Sequence, residues 1–447
     1  MVSITIIGTG YVGLVSGTCL ADFGNKVICI DTDIEKIKQL KTGKIPIFEP
    51  GLADIVRRNT EAGRLEFSVD FADSVKKADV IFIAVGTPPA DDGGADLRFV
   101  ENAVRGIGKT ITGYKIVVDK STVPIGTGKK VKQWINEEIE RRIAAGTLES
   151  GAVDFDIVSN PEFLREGAAV YDFMHPDRIV IGAETERSLK IMKDVYKVLY
   201  LNETPFIETN IETAEMIKYA ANAFLAVKIS YINEIANLCE KVGANIQGVT
   251  KALGRDKRIG DKFLHPGPGY GGSCFPKDTH ALAKVGRINQ SNVSIVEAAI
   301  KANENQRTKA IQKIETELEG VLNKKIAVLG VSFKPMTNDI RESPGIFIIE
   351  GLLKKGAIVS VSDPVAIPES KMYFSGIENT VLFFENEYDA IKGANAVVIV
   401  TEWNQYRSLD LDRVKSLLSD HHFFDLRNLY KRNDLEQRGF KYFATGQ

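Results

Sequence analysis

Three spaced glycines follow an apolar run in Ile4-Thr5-Ile6-Ile7-Gly8-Thr9-Gly10-Tyr11-Val12-Gly13, the stretch that decides the fold. The apolar run predicts a buried strand from Ile4 to Gly8, and the residues after it have the pattern of a helix. In such a turn Gly8 permits the tight bend, Gly10 lets the main chain approach a pyrophosphate, and Gly13 lets helix and strand pack closely. The N–H groups of the helix N-terminus then face the phosphates. The stretch therefore predicts the opening of a dinucleotide-binding unit.

An acidic residue follows these glycines at the spacing that such a unit needs. Asp31 ends the next predicted strand, Lys26 to Asp31, a little over 20 residues after Gly8. Its carboxylate can accept hydrogen bonds from both hydroxyls of an adenosine ribose and would repel a 2′-phosphate, so NAD is favoured over NADP. The glycines alone would also fit a Rossmann-type turn that has lost its ligand.

The composition is that of a globular protein. The 447 residues predict two or three domains, and 44% of them are hydrophobic and 26% charged. With a net charge of -2, no general attraction to nucleic acid or to a membrane is expected. No apolar run is long enough to cross a bilayer, and the N-terminal residues are interpreted as a strand rather than a targeting segment. We therefore expect a cytoplasmic enzyme.

The cysteines and histidines predict no metal site. Cys19, Cys29, Cys239 and Cys274 show no zinc-ligand spacing, and the five histidines form no cluster. Three of the cysteines lie in apolar periodic segments, which predicts core thiols in a reducing compartment. Cys274 lies outside such segments.

Short apolar runs alternate with amphipathic stretches on both sides of a long helical segment. Strands are predicted at Ile4 to Gly8, Lys26 to Asp31, Val80 to Val85, Lys115 to Asp119, Asp156 to Ser159, Arg178 to Gly182, Lys325 to Gly330, Ile358 to Ser362, Ala396 to Thr401 and Phe423 to Asp425. The helix begins near Asn210, a good N-cap, and runs about 30 residues towards Gly243, with a break into two helices as the alternative. The predicted fold class is α/β, with two Rossmann-like doubly wound domains joined by a long central helix.

The most unusual stretch is Gly267-Pro268-Gly269-Tyr270-Gly271-Gly272-Ser273-Cys274-Phe275-Pro276-Lys277-Asp278. Its glycines and prolines fix a tight, irregular main chain that can approach a ligand. A helix predicted near Pro276 places Cys274 at a helix N-terminus with Lys277 nearby, and both effects lower a thiol pKa and favour the nucleophilic thiolate. The alternative is a buried structural thiol beside a turn.

Lys218 and Asn222 form a second candidate group. They are four residues apart in the long helix and therefore share one face, among small and apolar neighbours. A lysine and an amide facing an apolar pocket are suited to stabilising a developing oxyanion. The alternative is a lysine whose charge reaches solvent at the helix edge.

Further segments extend this pattern over essentially the whole chain. They are, in order, Val85-Gly86-Thr87-Pro88, Ser121-Thr122-Val123-Pro124, Asn160-Pro161-Glu162-Phe163-Leu164-Arg165-Glu166-Gly167, Arg258, Phe333-Lys334 and Arg341-Glu342-Ser343. Together with the glycine turn, the Lys218–Asn222 pair and the cysteine loop, they resemble the nucleotide-sugar dehydrogenases of the UDP-glucose/GDP-mannose dehydrogenase family. So many segments in one order make the resemblance specific.

The resemblance implies an enzyme that uses NAD to oxidise UDP-glucose at C6, by four electrons, to UDP-glucuronate. It implies an NAD-binding Rossmann-like domain at 1–205, a central helical connector and dimerisation region with the cysteine loop at 206–315, and a UDP-sugar-binding Rossmann-like domain at 316–447. In relatives, the thiol at the position of Cys274 attacks the C6 aldehyde, and the resulting thioester is hydrolysed. The long helix also forms a dimer in relatives, so a homodimer or higher homo-oligomer is expected, without nucleic acid or membrane partners.

The resemblance also assigns roles to single residues. It implies Cys274 as nucleophile, Lys218 and Asn222 as oxyanion stabilisers, Asp278 as the carboxylate for proton transfer, and Thr122 and Glu162 as the pair that holds and activates water. The implied cofactor contacts are Gly8, Gly10, Tyr11, Val12, Gly13, Asp31, Lys36, Thr87, Thr122 and Arg341. The implied substrate contacts are Phe163, Leu164, Glu166, Lys218, Asn222, Gly271, Phe275, Phe333, Lys334, Arg427 and, towards the substrate of a neighbouring subunit, Arg258.

Substrate choice depends on fewer residues. Relatives that act on UDP-N-acetylmannosamine or UDP-N-acetylglucosamine usually carry histidine before the cysteine and lack the lysine after it, whereas this chain has Ser273 and Lys277. Relatives that act on GDP-mannose usually carry an extra aromatic and small residue before the same Gly-Gly-Ser-Cys, so Pro268-Gly269-Tyr270-Gly271 fits the UDP-glucose pattern better. Two other classes stay open: a two-electron alcohol dehydrogenase that releases an aldehyde, and a catalytically silent NAD-dependent sensor.

Overall fold

The computed structural model describes residues 1–377 and 380–447, and of residues 201 and 202 only the main chain. It divides the chain into two compact units, unit 1 (Met1–Ala221) and unit 2 (Asn222–Gln447). Each unit has its own sheet flanked by helices, so the predicted α/β class with two Rossmann-like sheets is confirmed. The three-part division at 205/206 and 315/316 stays a prediction.

Unit 1 is built on an eight-stranded sheet. Its strands are β1 (Ser3–Ile7), β2 (Lys26–Ile30), β3 (Leu65–Ser68), β4 (Val80–Ile83), β5 (Gly113–Asp119), β6 (Val153–Ser159), β7 (Ile179–Ala183) and β8 (Phe206–Thr209). They lie in the order β3-β2-β1-β4-β5-β6-β7-β8, and neighbours are parallel except for the β6–β7 pair. The order reverses beside β1, which is where an open parallel sheet forms a ligand crevice.

Helices cover both faces of this sheet because alternate strand residues point to opposite sides. The helices are α1 (Tyr11–Asp22), α2 (Ile34–Lys41), α3 (Leu52–Glu61), α4 (Phe71–Lys77), α5 (Arg98–Thr110), α6 (Thr127–Ala144), α7 (Ala169–Met174) and α8 (Glu186–Val195), followed by a short 3-10 helix, Lys197–Asn202. Ile4 and Ile6 of β1 lie in one buried layer and Ile7 in the other. The glycine turn is therefore anchored on both sides of the sheet.

The predicted long helix is one continuous element. Helix α9 (Ile211–Val242) has 32 residues, which excludes the break into two helices. Asn210 accepts a hydrogen bond from the Thr213 N–H at 2.9 Å and caps the start, and Gly243 ends the helix with a φ of +71°.

Unit 2 is built on a six-stranded parallel sheet. Its strands are β9 (Lys325–Leu329), β10 (Ile358–Ser362), β11 (Val381–Phe384), β12 (Ala396–Ile399), β13 (His422–Asp425) and β14 (Lys441–Ala444), in the order β11-β10-β9-β12-β13-β14. Its helices after α9 are α10 (Ile246–Arg255), α11 (Phe275–Ile288), α12 (Ser294–Glu317), α13 (Pro344–Lys354), α14 (Ile367–Tyr373), α15 (Glu387–Ile391), α16 (Leu411–Leu417) and α17 (Arg432–Gln437), with a 3-10 helix at Asn404–Arg407. Buried residues of β9 again alternate between two apolar layers.

All ten predicted strands are present, β10 with the predicted ends and the others with shifted ends, and within the described residues four further strands were not predicted. The four are β3, β8, β11 and β14, which form the edges of the two sheets. Within residues 1–377 and 380–447, none of the helices combines the length and the apolar character that crossing a bilayer requires.

Candidate active site

The glycine turn of unit 1 is shaped by close contacts at two of its three glycines. Gly8 has a φ of +101°, and a Cβ there would lie 2.7 Å from the carbonyl oxygen of Ala84, while a Cβ on Gly13 would overlap the carbonyl oxygen of Gly8. A Cβ on Gly10 would meet open space instead. Helix α1 begins at Tyr11 with no side-chain cap among the described residues, so its first N–H groups face that space. This cradle fits a pyrophosphate.

Asp31 lies beside the turn as an ionised carboxylate. Its Oδ2 accepts hydrogen bonds from the N–H of Thr9 at 2.9 Å, the hydroxyl of Thr9 at 2.7 Å and the ammonium of Lys36 at 3.0 Å. Burial alone would raise its pKa, but the bonds from Thr9, Asp33 and Lys36 lower the pKa of Asp31 to about 2. The structure thus brings two predicted cofactor residues, Asp31 and Lys36, into direct contact.

Glu49 ties the cofactor turn to the segment around Gly167, and sequence reasoning missed it. The Tyr11 hydroxyl donates to Glu49, the Gly167 N–H donates to both Tyr11 and Glu49 at 2.8 Å, and the Val170 N–H donates to Glu49 at 3.2 Å. Burial and the bond to Glu49 raise the pKa of Tyr11 above its usual value. The available sequence signal was the turn-forming Pro50-Gly51 directly after Glu49.

Two predicted threonines lie together at the carboxyl edge of the sheet. The Thr87 hydroxyl, after β4, donates to the carbonyl oxygen of Thr122, after β5, at 2.9 Å. The Ser121 hydroxyl donates to Val85 at 2.8 Å and strengthens the same connection. Adjacent loops of the sheet are therefore fixed to each other where a crevice ligand would bind.

Glu162 and Lys218 form a buried ion pair in unit 1. The Lys218 ammonium lies 2.9 Å from Glu162 Oε1, both side chains are 4% exposed, and the Leu164 N–H donates to Oε2 at 2.5 Å. Burial alone would raise the pKa of Glu162, but Lys218 and the Leu164 N–H bring it below its usual value. Two cations lie over the ring of Phe163. The Lys218 ammonium is 5.4 Å and the Arg178 guanidinium 3.8 Å from the ring centre. Glu162 is thus a carboxylate held ionised in an apolar setting.

Unit 2 contains a second polar cluster, around Asp278. Asn222 donates to Asp278 Oδ2 at 2.6 Å, and the Lys277 ammonium donates to Oδ1 at 2.7 Å. Asp278 is buried in the first turn of α11, and its N–H donates to the carbonyl oxygen of Cys274 at 2.8 Å. Cys274 is the N-cap residue of α11 and is partly exposed, whereas Cys19, Cys29 and Cys239 are buried. The accessible thiol lies at the positive end of a helix, as predicted.

Polar residues of α12 hold the glycine loop that precedes Cys274. Asn303 accepts from the Tyr270 N–H at 2.8 Å and donates to its carbonyl oxygen at 3.1 Å, Gln306 donates to Gly267 at 2.8 Å, and Arg307 donates to Tyr270 at 2.8 Å. Sequence reasoning missed these residues, although the run Asn303, Gln306 and Arg307 at helical spacing was a signal. A Cβ on Gly271 would overlap the carbonyl oxygen of Glu342, so this glycine contacts the protein's own main chain.

Several of the predicted substrate residues of unit 2 lie together at the glycine loop. Around the loop, the Phe333 ring packs on Gly272, Phe275 packs edge-on against Tyr270, and Arg427 lies against Gly267 with its Nε 2.7 Å from the carbonyl oxygen of Val400. Lys334 lies over the ring of Phe333 at 5.6 Å.

Two arginines stand at the surface instead. Arg258 and Arg341 have side chains 88% and 65% exposed, and each bonds a neighbouring aspartate, Asp256 and Asp339 respectively. Glu166, in unit 1, is partly buried. Among the described residues, no group of His, Cys, Asp and Glu side chains could hold a metal ion.

Comparison with known proteins gives matches along nearly the whole chain. Three domain models of the UDP-glucose/GDP-mannose dehydrogenase family match successive parts of the chain. They are the NAD binding domain at residues 2–200, the central domain at 212–305 and the UDP binding domain at 327–432. The UDP-glucose 6-dehydrogenase of Rhizobium meliloti (strain 1021) is 48% identical over 99% of both chains, and TuaD, a UDP-glucose 6-dehydrogenase of Bacillus subtilis (strain 168), is 45% identical over 100% of this chain and 94% of the relative. A solved UDP-glucose dehydrogenase from Pyrobaculum islandicum matches with a TM-score of 0.90 and 38% identity, over 100% of this chain and 98% of that one.

Proposed function

Because this chain belongs to the UDP-glucose/GDP-mannose dehydrogenase family and is therefore an NAD-dependent nucleotide-sugar dehydrogenase, we propose that its substrate is UDP-glucose. The product is UDP-glucuronate, formed by a four-electron oxidation at C6. The observation that carries this proposal is the partly exposed Cys274 at the start of α11, above the buried Asp278. A thiol is needed only if the aldehyde is held for a second oxidation.

All of the proposed cofactor contacts except Arg341 belong to unit 1. NAD supplies a hydride acceptor when it is bound. Gly8, Gly10 and Gly13 shape the pyrophosphate turn, Tyr11 and Val12 open α1, and Asp31 and Lys36 receive the ribose. Thr87, Thr122 and Arg341 complete the proposed cofactor contacts.

The first oxidation needs a proton acceptor for the C6 hydroxyl. We assign this role to Asp278, through a water molecule, because its carboxylate is oriented by Asn222 and Lys277. Lys218 and Asn222, one turn apart on α9, stabilise negative charge as it develops on the C6 oxygen. The C6 carbon loses a hydride and becomes an aldehyde.

The second oxidation uses Cys274. Its sulfur bonds to C6, and the carbonyl oxygen takes up the thiol proton. Loss of that proton and of a second hydride, for which a second NAD would be the acceptor, leaves a thioester. Glu162, ionised and paired with Lys218, takes a proton from water positioned by Thr122. The water oxygen adds to C6, the carbon–sulfur bond breaks, and the thiol is restored.

The remaining substrate contacts come from the same assignment. In unit 2, Gly271, Phe275, Phe333, Lys334 and Arg427 belong to or border the glycine loop, and in unit 1 Phe163, Leu164 and Glu166 lie just after Glu162. We also keep the proposed division into a cofactor domain at 1–205, a central region at 206–315 and a UDP-sugar domain at 316–447, and a cytoplasmic location.

An exposed apolar row on α9 supports a homodimer. Phe224, Tyr231 and Leu238 recur every seven residues and are 64%, 52% and 55% exposed. A row of this kind on one helix face can pair with the same row of a second copy. The exposed Arg258 would then be available to the partner's substrate. Sedimentation tests the assembly, and a monomer at micromolar concentration would contradict it.

The yield of NADH per sugar tests the reaction. Limiting UDP-glucose with excess NAD should yield about two NADH per sugar, because the thioester route completes both oxidations on one enzyme. A yield of about one with aldehyde in solution indicates a two-electron dehydrogenase. If GDP-mannose or a UDP-N-acetylhexosamine is turned over faster than UDP-glucose, that sugar is the substrate instead. If no nucleotide sugar is turned over, the alternative of a catalytically silent NAD-binding sensor is favoured.

Mass spectrometry of the intact protein tests the covalent step. Glu162→Gln should accumulate a sugar adduct, because the carboxylate that activates water is gone. The matched control is Glu162→Gln combined with Cys274→Ser, which should form none. Normal turnover by Glu162→Gln, or an adduct without Cys274, would show that these two roles are wrong.

A further inference from the structure

Lys120 is a buried cation that the roles assigned above leave unused. It directly follows β5 at the carboxyl edge of the sheet in unit 1 and is 4% exposed. Its ammonium donates to the Asn160 side chain at 3.1 Å and to the Asn160 carbonyl oxygen at 3.3 Å, and lies 5.9 Å from the centre of the Phe173 ring. Burial lowers the pKa of Lys120 to about 8. A buried lysine whose hydrogen-bond acceptors are all neutral destabilises the fold unless an opposite charge lies close enough to interact with it.

Asn160 connects Lys120 to the turn that carries Glu162. The Asn160 Oδ1 accepts from Lys120 and from the Tyr196 hydroxyl at 2.6 Å, and its Nδ2 donates to the carbonyl oxygen of Val180 at 2.8 Å. Because its side chain is bonded at both ends, Asn160 is fixed in place. Glu162, two residues later, is therefore held at a set position relative to Lys120.

Glu162 experiences the charge of both lysines. Lys218 contacts its carboxylate at 2.9 Å, and Lys120 acts on it through space, so that both lower the pKa of Glu162 against the effect of burial. Glu162 in turn favours the charged form of Lys120, and Lys218 opposes it. Tyr196, the other titratable group that bonds Asn160, is kept neutral because burial raises its pKa.

In the proposed reaction, negative charge develops on the C6 oxygen a second time when water adds to the thioester, so Lys218 is drawn to that oxygen at the stage at which Glu162 must accept a proton. We propose that Lys120 is a positioning residue for this stage, which fixes the turn at Asn160 and keeps the Glu162 carboxylate ionised while Lys218 serves the substrate. This inference rests on the proposed function. Asp119, the buried acid beside Lys120 in the chain, is acted on by Glu215 and so belongs to a different pair.

Lys120→Gln separates the charge of Lys120 from its hydrogen bond. Glutamine keeps an N–H donor for Asn160 but removes the charge, so the Glu162 carboxylate should protonate at higher pH. The acid limb of the kcat profile for UDP-glucose oxidation should move up by about half to one pH unit, and the adduct on Cys274 should accumulate at pH values where the wild type shows none.

Lys115→Gln is the matched control. Lys115 is a second buried lysine of β5, 8% exposed, whose ammonium donates to the carbonyl oxygens of Lys76 and Ala78. Five residues of strand, roughly 16 Å, separate it from Lys120. This variant removes another buried cation of the same sheet, and we expect it to leave the acid limb in place. Lys120→Arg, which keeps the charge, should also leave it in place.

Three results would overturn the role of Lys120. These are an acid limb that Lys120→Gln does not move, an equal shift in Lys115→Gln, and an equal shift in Lys120→Arg, which keeps the charge. If only Lys120→Met moves the limb, the hydrogen bond and not the charge explains the shift. If Lys120→Gln does not fold, Lys120→Met takes its place, and an acid limb that Lys120→Met does not move overturns the role of Lys120. A wild-type protein that oxidises no nucleotide sugar rejects the proposed function itself, which separates the two failures.

Discussion

The sheets of the two units share an order around their first strands and differ in the loops that come after those strands. The order β3-β2-β1-β4-β5-β6 of unit 1 has the same form as β11-β10-β9-β12-β13-β14 of unit 2. After β1 and β9 comes a glycine with a φ near +100°, Gly8 and Gly330, whose N–H donates at 2.8 Å to the last residue of the neighbouring strand. After that strand each sheet has an aspartate, Asp31 or Asp363.

The two aspartates are used differently. Asp31 accepts from Thr9, Asp33 and Lys36 and keeps 13% of its side chain exposed. Asp363 is 2% exposed and accepts six hydrogen bonds, from the N–H groups of Val331, Ser332, Val365 and Ala366, the Ser332 hydroxyl and the Trp403 indole. A carboxylate bound this fully has no acceptor left for a ribose.

The loops after the glycines explain this difference. In unit 1 the helix begins at once, at Tyr11, so main-chain N–H groups form the cradle. In unit 2 the next helix begins only at Pro344, and the intervening loop carries side chains such as Phe333 and Lys334. One strand order therefore supports two kinds of site, one made by main chain and one by side chains on a loop that Asp363 holds.

Replacing each aspartate in turn should separate the two sites most clearly. Asp363→Asn would turn an amide group towards buried donors and should lower the free energy of unfolding by about 3 kcal/mol or more, whereas Asp31→Asn should lower it by about 1 kcal/mol. Denaturant unfolding without NAD measures both. Equal losses would mean that Asp363 is no more structural than Asp31.

Cofactor preference tests the ligand-binding role of Asp31 more directly. Asp31→Ser removes the charge that repels a 2′-phosphate and releases Lys36 from its ion pair, so the preference for NAD over NADP should narrow by about 10- to 100-fold. The ratio of kcat/KM values for the two cofactors measures it. Equal use of NAD and NADP by the wild type would show that Asp31 does not contact the ribose.

The smallest expected effect is on stability in acid. Because the folded-state pKa of Asp31, about 2, lies below its usual value, its contribution is complete above pH ~4 and is lost as the pH falls towards 2. Partial exposure limits the contribution to about 1 kcal/mol. Between pH 4 and 2, the Tm of Asp31→Asn should therefore fall less steeply than the Tm of the wild type. Parallel curves of Tm against pH would contradict this.

The strands that were predicted from the sequence are those whose own residues carry a clear apolar pattern. β4 and β12 are continuous apolar runs, buried at every position, and were found. β3, β8, β11 and β14 are four-residue edge strands with partly exposed side chains, so their pattern is weak. Edge strands depend on a neighbour that the sequence does not show.

The same distinction applies to the candidate site. Cys274 and Asp278 were found because a dense glycine loop and a helix start lie within one short stretch. Glu49, Lys120 and Asn303 were not found, because each acts through contacts with residues distant in sequence. Local patterns point to the candidate reacting groups, and only the fold shows which residues hold them.

The burial of three of the four cysteines makes Cys274 a natural chemical handle. Cys19, Cys29 and Cys239 are closed to reagents in the folded protein, so a maleimide dye or a crosslinker applied to the native chain would attach at one position. The same selectivity exposes the protein to peroxide. Sulfenic acid would form first on the residue that we propose as the nucleophile, and under that proposal activity would be lost while the fold stays intact.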